Sequence, residues 1–241
     1  MPSPHTLDLS VFDPLKPVAD SLSRCVHALA ADSQPYASAV AVVYRGRPML
    51  FTAHHVVDGA VGRRLELAVP GRFEPLSLAP GLVAADVEVD AAVVRLPESA
   101  LGWGISFWAL ENQHTVVAPP AETFYPAMGY AARDVVFDRQ AGTSHFVCCY
   151  YWCYENEEAY RLYGRSPEAF VATNFDLENS YRDGVKRWMR LPHGMSGGAL
   201  WRLNERGCEL AGVLTEYRTE RTKCVISAHV RRLEDLARRL L

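Results

Sequence analysis

Residues 191–200 read Leu-Pro-His-Gly-Met-Ser-Gly-Gly-Ala-Leu and set one serine, Ser196, among glycines directly before an apolar segment. Glycine adopts backbone conformations that other residues avoid, so this spacing predicts a sharp turn that presents the serine hydroxyl. Such a turn can also point the N–H groups of Gly194 and Ser196 at one spot, where an oxyanion would be stabilised. The stretch therefore predicts a nucleophilic serine followed by a strand.

Two further segments carry the groups that a serine nucleophile needs. Residues 50–59, Leu-Phe-Thr-Ala-His-His-Val-Val-Asp-Gly, predict a strand that runs into a short turn beginning with a histidine pair. Residues 87–96, Val-Glu-Val-Asp-Ala-Ala-Val-Val-Arg-Leu, predict an aspartate, Asp90, at the start of an apolar strand. A serine hydroxyl is too weakly acidic to attack an amide unaided, so it needs a basic imidazole and a carboxylate that orients it.

These segments resemble the signature motifs of the trypsin-like (chymotrypsin-fold) serine peptidases. Thr-Ala-His-His-Val at 52–56 is similar to their Thr-Ala-Ala-His-Val, and Asp-Ala-Ala-Val-Val at 90–94 is similar to their Asp-Leu-Ala-Val-Leu. Gly-Met-Ser-Gly-Gly at 194–198 is similar to their Gly-Asp-Ser-Gly-Gly. The order of the motifs matches as well, over roughly residues 37–241, and the spacing resembles that of compact bacterial members.

The resemblance implies a catalytic triad. His55 would act as general base and then general acid, Asp90 would fix its tautomer, and Ser196 would form the acyl-enzyme. The register Thr-Ala-x-His-Val assigns the base to His55, which leaves His54 as a structural or cleft-side histidine. The backbone N–H groups of Gly194 and Ser196 would form the oxyanion hole.

Short strands at close spacing predict a mostly β chain, and the resemblance implies two six-stranded antiparallel β-barrels with the active site between them. A helical extension is expected at 1–36, the first barrel with the histidine and aspartate at 37–100, and the second barrel with the serine at 101–241. Residues 154–170 and 178–190 are expected to be long loops, with a helical turn as the alternative. Strands are predicted at 38–44, 49–52, 65–69, 76–78, 83–89, 91–96, 124–130, 144–151, 171–175, 198–202, 208–215 and 223–228.

Two helices are predicted from apolar residues at helical spacing. The N-terminal one rests on Val18, Leu22, Cys25, Val26 and Leu29. The second, at 230–240, has arginines late in its sequence, where they complement the helix dipole. Both helices are expected to pack on the β-rich body of the protein.

Four residues are implied to bind substrate. Residues 212–217, Gly-Val-Leu-Thr-Glu-Tyr, resemble the family strand that forms a wall of the primary specificity pocket, so Glu216 and Tyr217 would border the substrate backbone. Thr215 either hydrogen-bonds the triad aspartate, as a serine does in the family, or is an ordinary strand threonine. Arg190 takes the position that sets the pocket floor; a cation there would favour an acidic side chain before the scissile bond, whereas a solvated Arg190 would not.

Met195 departs from the family pattern. Zymogen-type members carry an aspartate at this position, and it receives a newly freed N-terminal amine on activation. A thioether cannot pair with an ammonium group, so the oxyanion hole is expected to form without N-terminal processing. Control by loop ordering or by a regulatory protein partner stays open.

Parts of the sequence also fit three other functional interpretations. Gly-x-Ser-x-Gly also fits the nucleophile elbow of α/β-hydrolases, but that fold places an acid and then a histidine after the serine, and only His229 follows. A zinc site is disfavoured because the candidate ligands have no knuckle spacing, and no metal or organic cofactor is implied; these ligands are His145, Cys148, Cys149 and Cys153. The remaining rival is a protease-like domain that binds proteins with weak or no turnover.

Composition limits the class of protein further. The 241 residues are 49% hydrophobic and 22% charged with a net charge of −3, which argues against a nucleic-acid partner. No apolar run approaches the roughly 20 residues that cross a bilayer, and no secretory signal is visible at residues 1–5. The six cysteines are poorly spaced for three disulfides, so reduced thiols in the cytoplasm are expected. The family pattern then implies a regulated bacterial protease, acting on protein or peptide substrates in stress or defence.

Overall fold

The predicted strand-rich pattern folds into two large sheets, one from each half of the chain. The computed structural model describes residues 16–111, 123–132, 135–138, 143–145, 148–175, 180–182, 185–186 and 193–241. Its helices are α1 (Lys16–Ser23), α2 (His54–Asp58), α3 (Glu157–Tyr163) and α4 (Val230–Arg238), with a 3-10 helix at Glu98–Gly102. None of these helices has the length and apolar character that crossing a membrane would require.

The first sheet is built from short apolar segments that hairpin turns connect. Its strands are β1 (Val26–Ala31), β2 (Gln34–Tyr44), β3 (Arg47–Ala53), β4 (Leu65–Val69), β5 (Arg72–Pro75), β6 (Val83–Asp86), β7 (Ala91–Arg95) and β8 (Trp108–Ala109). The order is β5-β4-β1-β2-β3-β7-β6, and all these pairs are antiparallel. The short strand β8 pairs with β2 in parallel. Strands β3 and β7 are therefore neighbours, which brings the segments with the predicted histidine and aspartate together.

The second half of the chain forms the other large sheet and a small ribbon. The strands are β9 (Tyr125–Gly129), β10 (Val136–Asp138), β11 (Thr143–His145), β12 (Cys149–Cys153), β13 (Phe170–Asn174), β14 (Ser180–Arg182), β15 (Val185–Lys186), β16 (Ala199–Asn204), β17 (Gly207–Arg218) and β18 (Cys224–His229). The large sheet has the order β13-β18-β17-β16-β9-β12-β14-β15, and β10 pairs with β11. The predicted serine lies directly before β16.

The sheets contain more strands than the predicted barrels. Each has eight strands in the described residues where six were expected, because short edge strands such as β8 and β15 add to the pattern. The described pairings run from one edge strand to the other without a closing pair. The strand expected at 76–78 lies at Arg72–Pro75 instead.

The N-terminal extension is only partly helical. Helix α1 ends at Ser23, and the apolar run from Val26 to Ala31 forms β1. All six residues of β1 are buried, because the strand lies between β2 and β4. Burial on both faces removes the alternation that would have marked a strand, so Val26 and Leu29 mimicked a helical pattern.

The C-terminal helix α4 confirms the prediction made for residues 230–240. It buries Leu233, Leu236 and Ala237 in the apolar core that the two sheets share. On the first sheet, Arg95 Nη1 donates a hydrogen bond of 2.9 Å to the carbonyl of Leu240. The end of the chain is thus fixed against the sheet that carries the predicted histidine and aspartate.

All six cysteines are free thiols, as their spacing predicts, and five of them are buried. Three lie in or next to β12, where Cys149 and Cys153 pack into the core of the second sheet. Burial raises the pKa of Cys25 and of Cys224 to about 11, so both thiols are protonated at neutral pH. The described cysteines therefore act as small core residues.

Candidate active site

His55 and Asp90 meet where β3 and β7 end side by side. Ala53 pairs with Ala91 across these strands, His55 lies two residues after the first and Asp90 one residue before the second. The Nδ1 of His55 lies 2.7 Å from Oδ2 of Asp90, and the backbone N–H of His55 donates to Oδ1 at 2.8 Å. Both carboxylate oxygens of Asp90 therefore bond His55. When Nδ1 carries the proton and faces Asp90, Nε2 of His55 is free to accept a proton.

The neighbouring His54 contributes only its backbone to this pair. Its N–H donates to the carbonyl of Asp90 at 3.0 Å. The structure therefore brings the carboxylate of Asp90 to His55, which is the register that the sequence favours.

The hydrogen bond that Asp90 accepts from the imidazole raises the pKa of His55 above its ordinary value. Partial burial opposes this shift, while Coulomb attraction from Asp90 and from Glu216 adds to it, because each negative charge favours the imidazolium. The imidazole remains 49% exposed, so solvent and a substrate can reach it.

Asp90 is held in a left-handed backbone conformation with φ +54°. Aspartate tolerates this region better than most residues do. The preceding turn is closed by Asp86, whose Oδ1 accepts from the N–H of Glu88 at 3.1 Å, and by an Asp90 N–H bond of 3.3 Å to Val87. The sequence between β6 and β7 therefore aims the Asp90 carboxylate at the histidine.

The serine turn, residues 193–198, needs its glycines for two reasons. Gly194 and Gly197 have φ values of +92° and +82°, where other residues are strained. A Cβ on Gly197 would also lie 2.0 Å from Oγ1 of Thr52 and 2.2 Å from the carbonyl oxygen of Ser38. The turn therefore packs directly against the first sheet at Thr52, which lies three residues before His55 in the sequence.

Ser38 on β2 connects the serine turn to the first sheet. Its N–H donates to the carbonyl of Ser196 at 2.9 Å, and its hydroxyl donates to the carbonyl of Gly194 at 3.0 Å. The same hydroxyl accepts from the N–H of Tyr130, and the Ser38 carbonyl accepts from the hydroxyl of Thr52, both at 2.9 Å. Ser38 was not predicted as a site residue from the sequence. The signal that could have marked it is its polar side chain within the apolar part of β2.

The Gly194 and Ser196 amides, which the sequence predicts as oxyanion-hole donors, lie in the serine turn. Within the described ranges, neither N–H donates to a backbone carbonyl, although the next two amides, of Gly197 and Gly198, do. Met195 between them is only 2% exposed and packs against Gly129 in the core of the second sheet. Its thioether therefore holds the turn through apolar packing.

The predicted pocket wall is formed by the outer part of β17. Thr215, Glu216 and Tyr217 line a cavity that Ser196 also borders. The hydroxyl of Thr215 donates to the carbonyl of Ile226 on β18 at 3.0 Å, at a point where the register of the two strands shifts. This hydrogen bond lies within the second sheet, as expected for the ordinary strand threonine of the two alternatives.

Glu216 is paired with two arginines that sequence analysis did not single out. Its carboxylate bonds the guanidinium of Arg165 and accepts from Nε of Arg218 at 2.7 Å. Arg165 also lies 4.7 Å above the ring of Phe170. Arg165 comes from a distant segment and left no local signal, whereas Arg218 lies two residues further along β17. Arg190 lies outside the described residues.

Among the candidate metal ligands, the side chain of His145 lies outside the described part of the structure. Within the described part, no group of three or more histidine, cysteine, aspartate or glutamate side chains is arranged to hold an ion. Cys148 and Cys149 instead lie at the start of a strand that pairs with β9.

No protein-family model and no curated protein sequence matches this chain. Solved structures do: the M. tuberculosis Rv3671c protease in its active form has a TM-score of 0.52 and 14% identity, over 95% of this chain and 86% of that one. The serine endoprotease of Yersinia pestis has a TM-score of 0.53 and 14% identity, over 95% of this chain and 66% of that one. At this identity the likeness establishes the fold alone: this chain has the fold of the trypsin-like serine proteases.

Proposed function

We propose that the protein is a serine endopeptidase that hydrolyses peptide bonds of a protein or peptide substrate through His55, Asp90 and Ser196. One observation carries this function: Asp90 holds His55 with both carboxylate oxygens, at 2.8 and 2.7 Å, beside a serine turn bonded to the same sheet. An ion pair or a buried hydroxyl with a purely structural role would not require two bonds to one histidine next to a serine turn. The fold shared with serine proteases supports the same conclusion.

In the proposed reaction, Asp90 keeps the proton of His55 on Nδ1, so Nε2 accepts the hydroxyl proton of Ser196. The serine oxygen attacks the carbonyl carbon of the peptide, and the N–H groups of Gly194 and Ser196 stabilise the resulting oxyanion. The imidazolium then gives its proton to the departing amine, which leaves the acyl-enzyme. Water activated by His55 attacks the ester and restores the free serine.

The proposal extends to the setting of the enzyme. Six free cysteines are typical of a reducing compartment, so we propose a cytoplasmic enzyme. The domain limits 37–100 and 101–241, each with part of the triad, belong to the same proposal. A regulated bacterial role with few protein targets, in stress or defence, and control by loop ordering or by a regulatory protein partner belong to the same proposal.

Labelling with a fluorophosphonate tests the chemistry directly. The wild-type protein should form a covalent adduct on Ser196, and Ser196→Ala should not. His55→Ala should slow labelling by at least about 100-fold, since the general base is lost, whereas the matched neighbour His54→Ala should label at close to the wild-type rate. Equal labelling of wild type and Ser196→Ala would overturn the proposal and favour the rival, a protease-like binding domain.

A further inference from the structure

The cavity beside Ser196 is small. Its volume is about 30 Å³. Most of its described lining is apolar. The lining residues are Ala127, Phe175, Met195, Ser196, Leu214, Thr215, Glu216, Tyr217 and Val225.

The side chain that precedes the scissile bond has to enter this cavity, a step that rests on the proposed peptidase function. In the acyl-enzyme the substrate carbonyl carbon is bonded to the Ser196 oxygen. The Cα of that residue is one bond of about 1.5 Å away, and its side chain begins one bond further on. The cavity bordered by Ser196 is therefore the space within its reach.

Aromatic rings occupy the space that a larger substrate side chain would need. Phe175 is 2% exposed, and its ring centroid lies 4.4 Å from that of Tyr151 and 4.8 Å from that of Tyr217. The three rings pack at inclined or edge-to-face angles, which is a favourable arrangement that resists displacement. Phe175 and Tyr217, which both line the cavity, thus give it a packed aromatic wall.

The described lining offers no uncompensated charge to a charged substrate side chain. Glu216 is the charged residue among the described lining residues, and Arg165 and Arg218 already bond its carboxylate. The hydroxyl of Thr215 is used by the carbonyl of Ile226. Burying a charged substrate group here without a partner would be unfavourable.

We infer that the enzyme selects a small uncharged residue, glycine, alanine or serine, immediately before the scissile bond. This differs from the acidic preference that Arg190 would give, and the two are distinguishable. The observations that carry it are the size of the cavity, the aromatic packing and the pairing of Glu216.

A series of peptidyl phosphonates that differ only in the side chain next to phosphorus tests this selection. Wild type should react with the alanine analogue at least about 10-fold faster than with the phenylalanine, lysine or glutamate analogues. Faster reaction with the glutamate, lysine or phenylalanine analogue, or none with the alanine analogue, would overturn the inference. Fluorophosphonate labelling of Ser196 carries no such side chain, so its loss would instead indicate failure of the proposed function.

Two variants connect the selection to the cavity wall. Tyr217→Ala opens the cavity and should raise reactivity toward the phenylalanine analogue, relative to alanine, by about 10-fold or more. Tyr36→Ala removes a half-buried tyrosine of the first sheet, outside the cavity lining, and should leave this ratio unchanged. An unchanged ratio in Tyr217→Ala, with fluorophosphonate labelling intact, would contradict the assignment of Tyr217.

Discussion

The His55–Asp90 pair lies within one sheet, whereas the serine turn is bonded to both. The pair follows from the register of β3 and β7. Because Ala53 lies opposite Ala91, His55 and Asp90 come to the same end of the two strands. The turn instead depends on contacts across the molecule, from Ser38 and Thr52 of the first sheet and from Leu214 of the second.

This difference teaches which parts of the site tolerate change. His55 and Asp90 depend on each other's functional groups and on few contacts elsewhere in the molecule. Substitutions of these two residues should therefore affect catalysis more than folding. The turn needs glycine at positions where the other sheet leaves no room for a Cβ, so substitutions there should affect folding as well. The following variants separate the two effects.

The largest expected effect is on catalysis at the pair. Asp90→Asn should lower kcat roughly 10,000-fold, because an amide no longer holds His55 in the tautomer whose Nε2 accepts a proton. Peptide hydrolysis measures this, and circular dichroism should show an unchanged fold. The matched control Asp86→Asn changes an acidic residue of the same turn that does not face His55, and should retain kcat within about 10-fold. A drop of similar size in both variants would indicate a turn defect.

The serine turn should respond through folding stability. Gly197→Ala places a Cβ against Thr52 and Ser38 and should lower the free energy of unfolding by roughly 3 kcal/mol. Gly62→Ala has a similar φ, +78°, with open space around the new Cβ, and should lose only about 1 kcal/mol. Urea denaturation measures both. Equal losses would mean that backbone strain and not contact between the sheets makes Gly197 necessary.

The connection between the sheets can be broken at Ser38. Ser38→Ala leaves the Gly194 carbonyl and the Tyr130 N–H without their hydroxyl partner and should lower the free energy of unfolding by about 2 kcal/mol. Ser227 is equally buried, and its hydroxyl has no hydrogen-bond partner among the described residues, so Ser227→Ala should be close to neutral. A neutral Ser38→Ala in thermal denaturation would contradict the role given to this residue.

The smallest expected effect is a shift in pH dependence. The neutral form of His55 is the active one, and Asp90 and Glu216 raise its pKa, so the acid limb of kcat/KM should lie above the ordinary histidine value. Glu216→Gln removes one of these charges and should move the limb to lower pH by a fraction of a unit. Glu209→Gln, near the start of β17, should leave it in place. A shift to higher pH in Glu216→Gln would reverse the assigned sign.

Local patterns predicted much of the fold, and their failures have identifiable causes. Helix α4 and the β2–β3 hairpin were predicted because their periodicity is local. For the segment of α3 the sequence predicted a long loop with at most a helical turn, although Asn156 caps the first turn of the helix at 3.1 Å and Gly164 ends it with φ +61°. Its capping signals were present in the sequence and were outweighed by its poor periodicity.

The sequence by itself determined the chemical groups: a histidine at a strand end, an aspartate before a strand, and a serine among glycines. These are local choices, because turns and strand starts depend on nearby residues. The bond from Ser38 to the serine turn and the pairing of Glu216 with Arg165 form only in the folded protein. Such contacts join residues far apart in the chain, and side-chain partners of this kind leave no periodic signal in a single sequence.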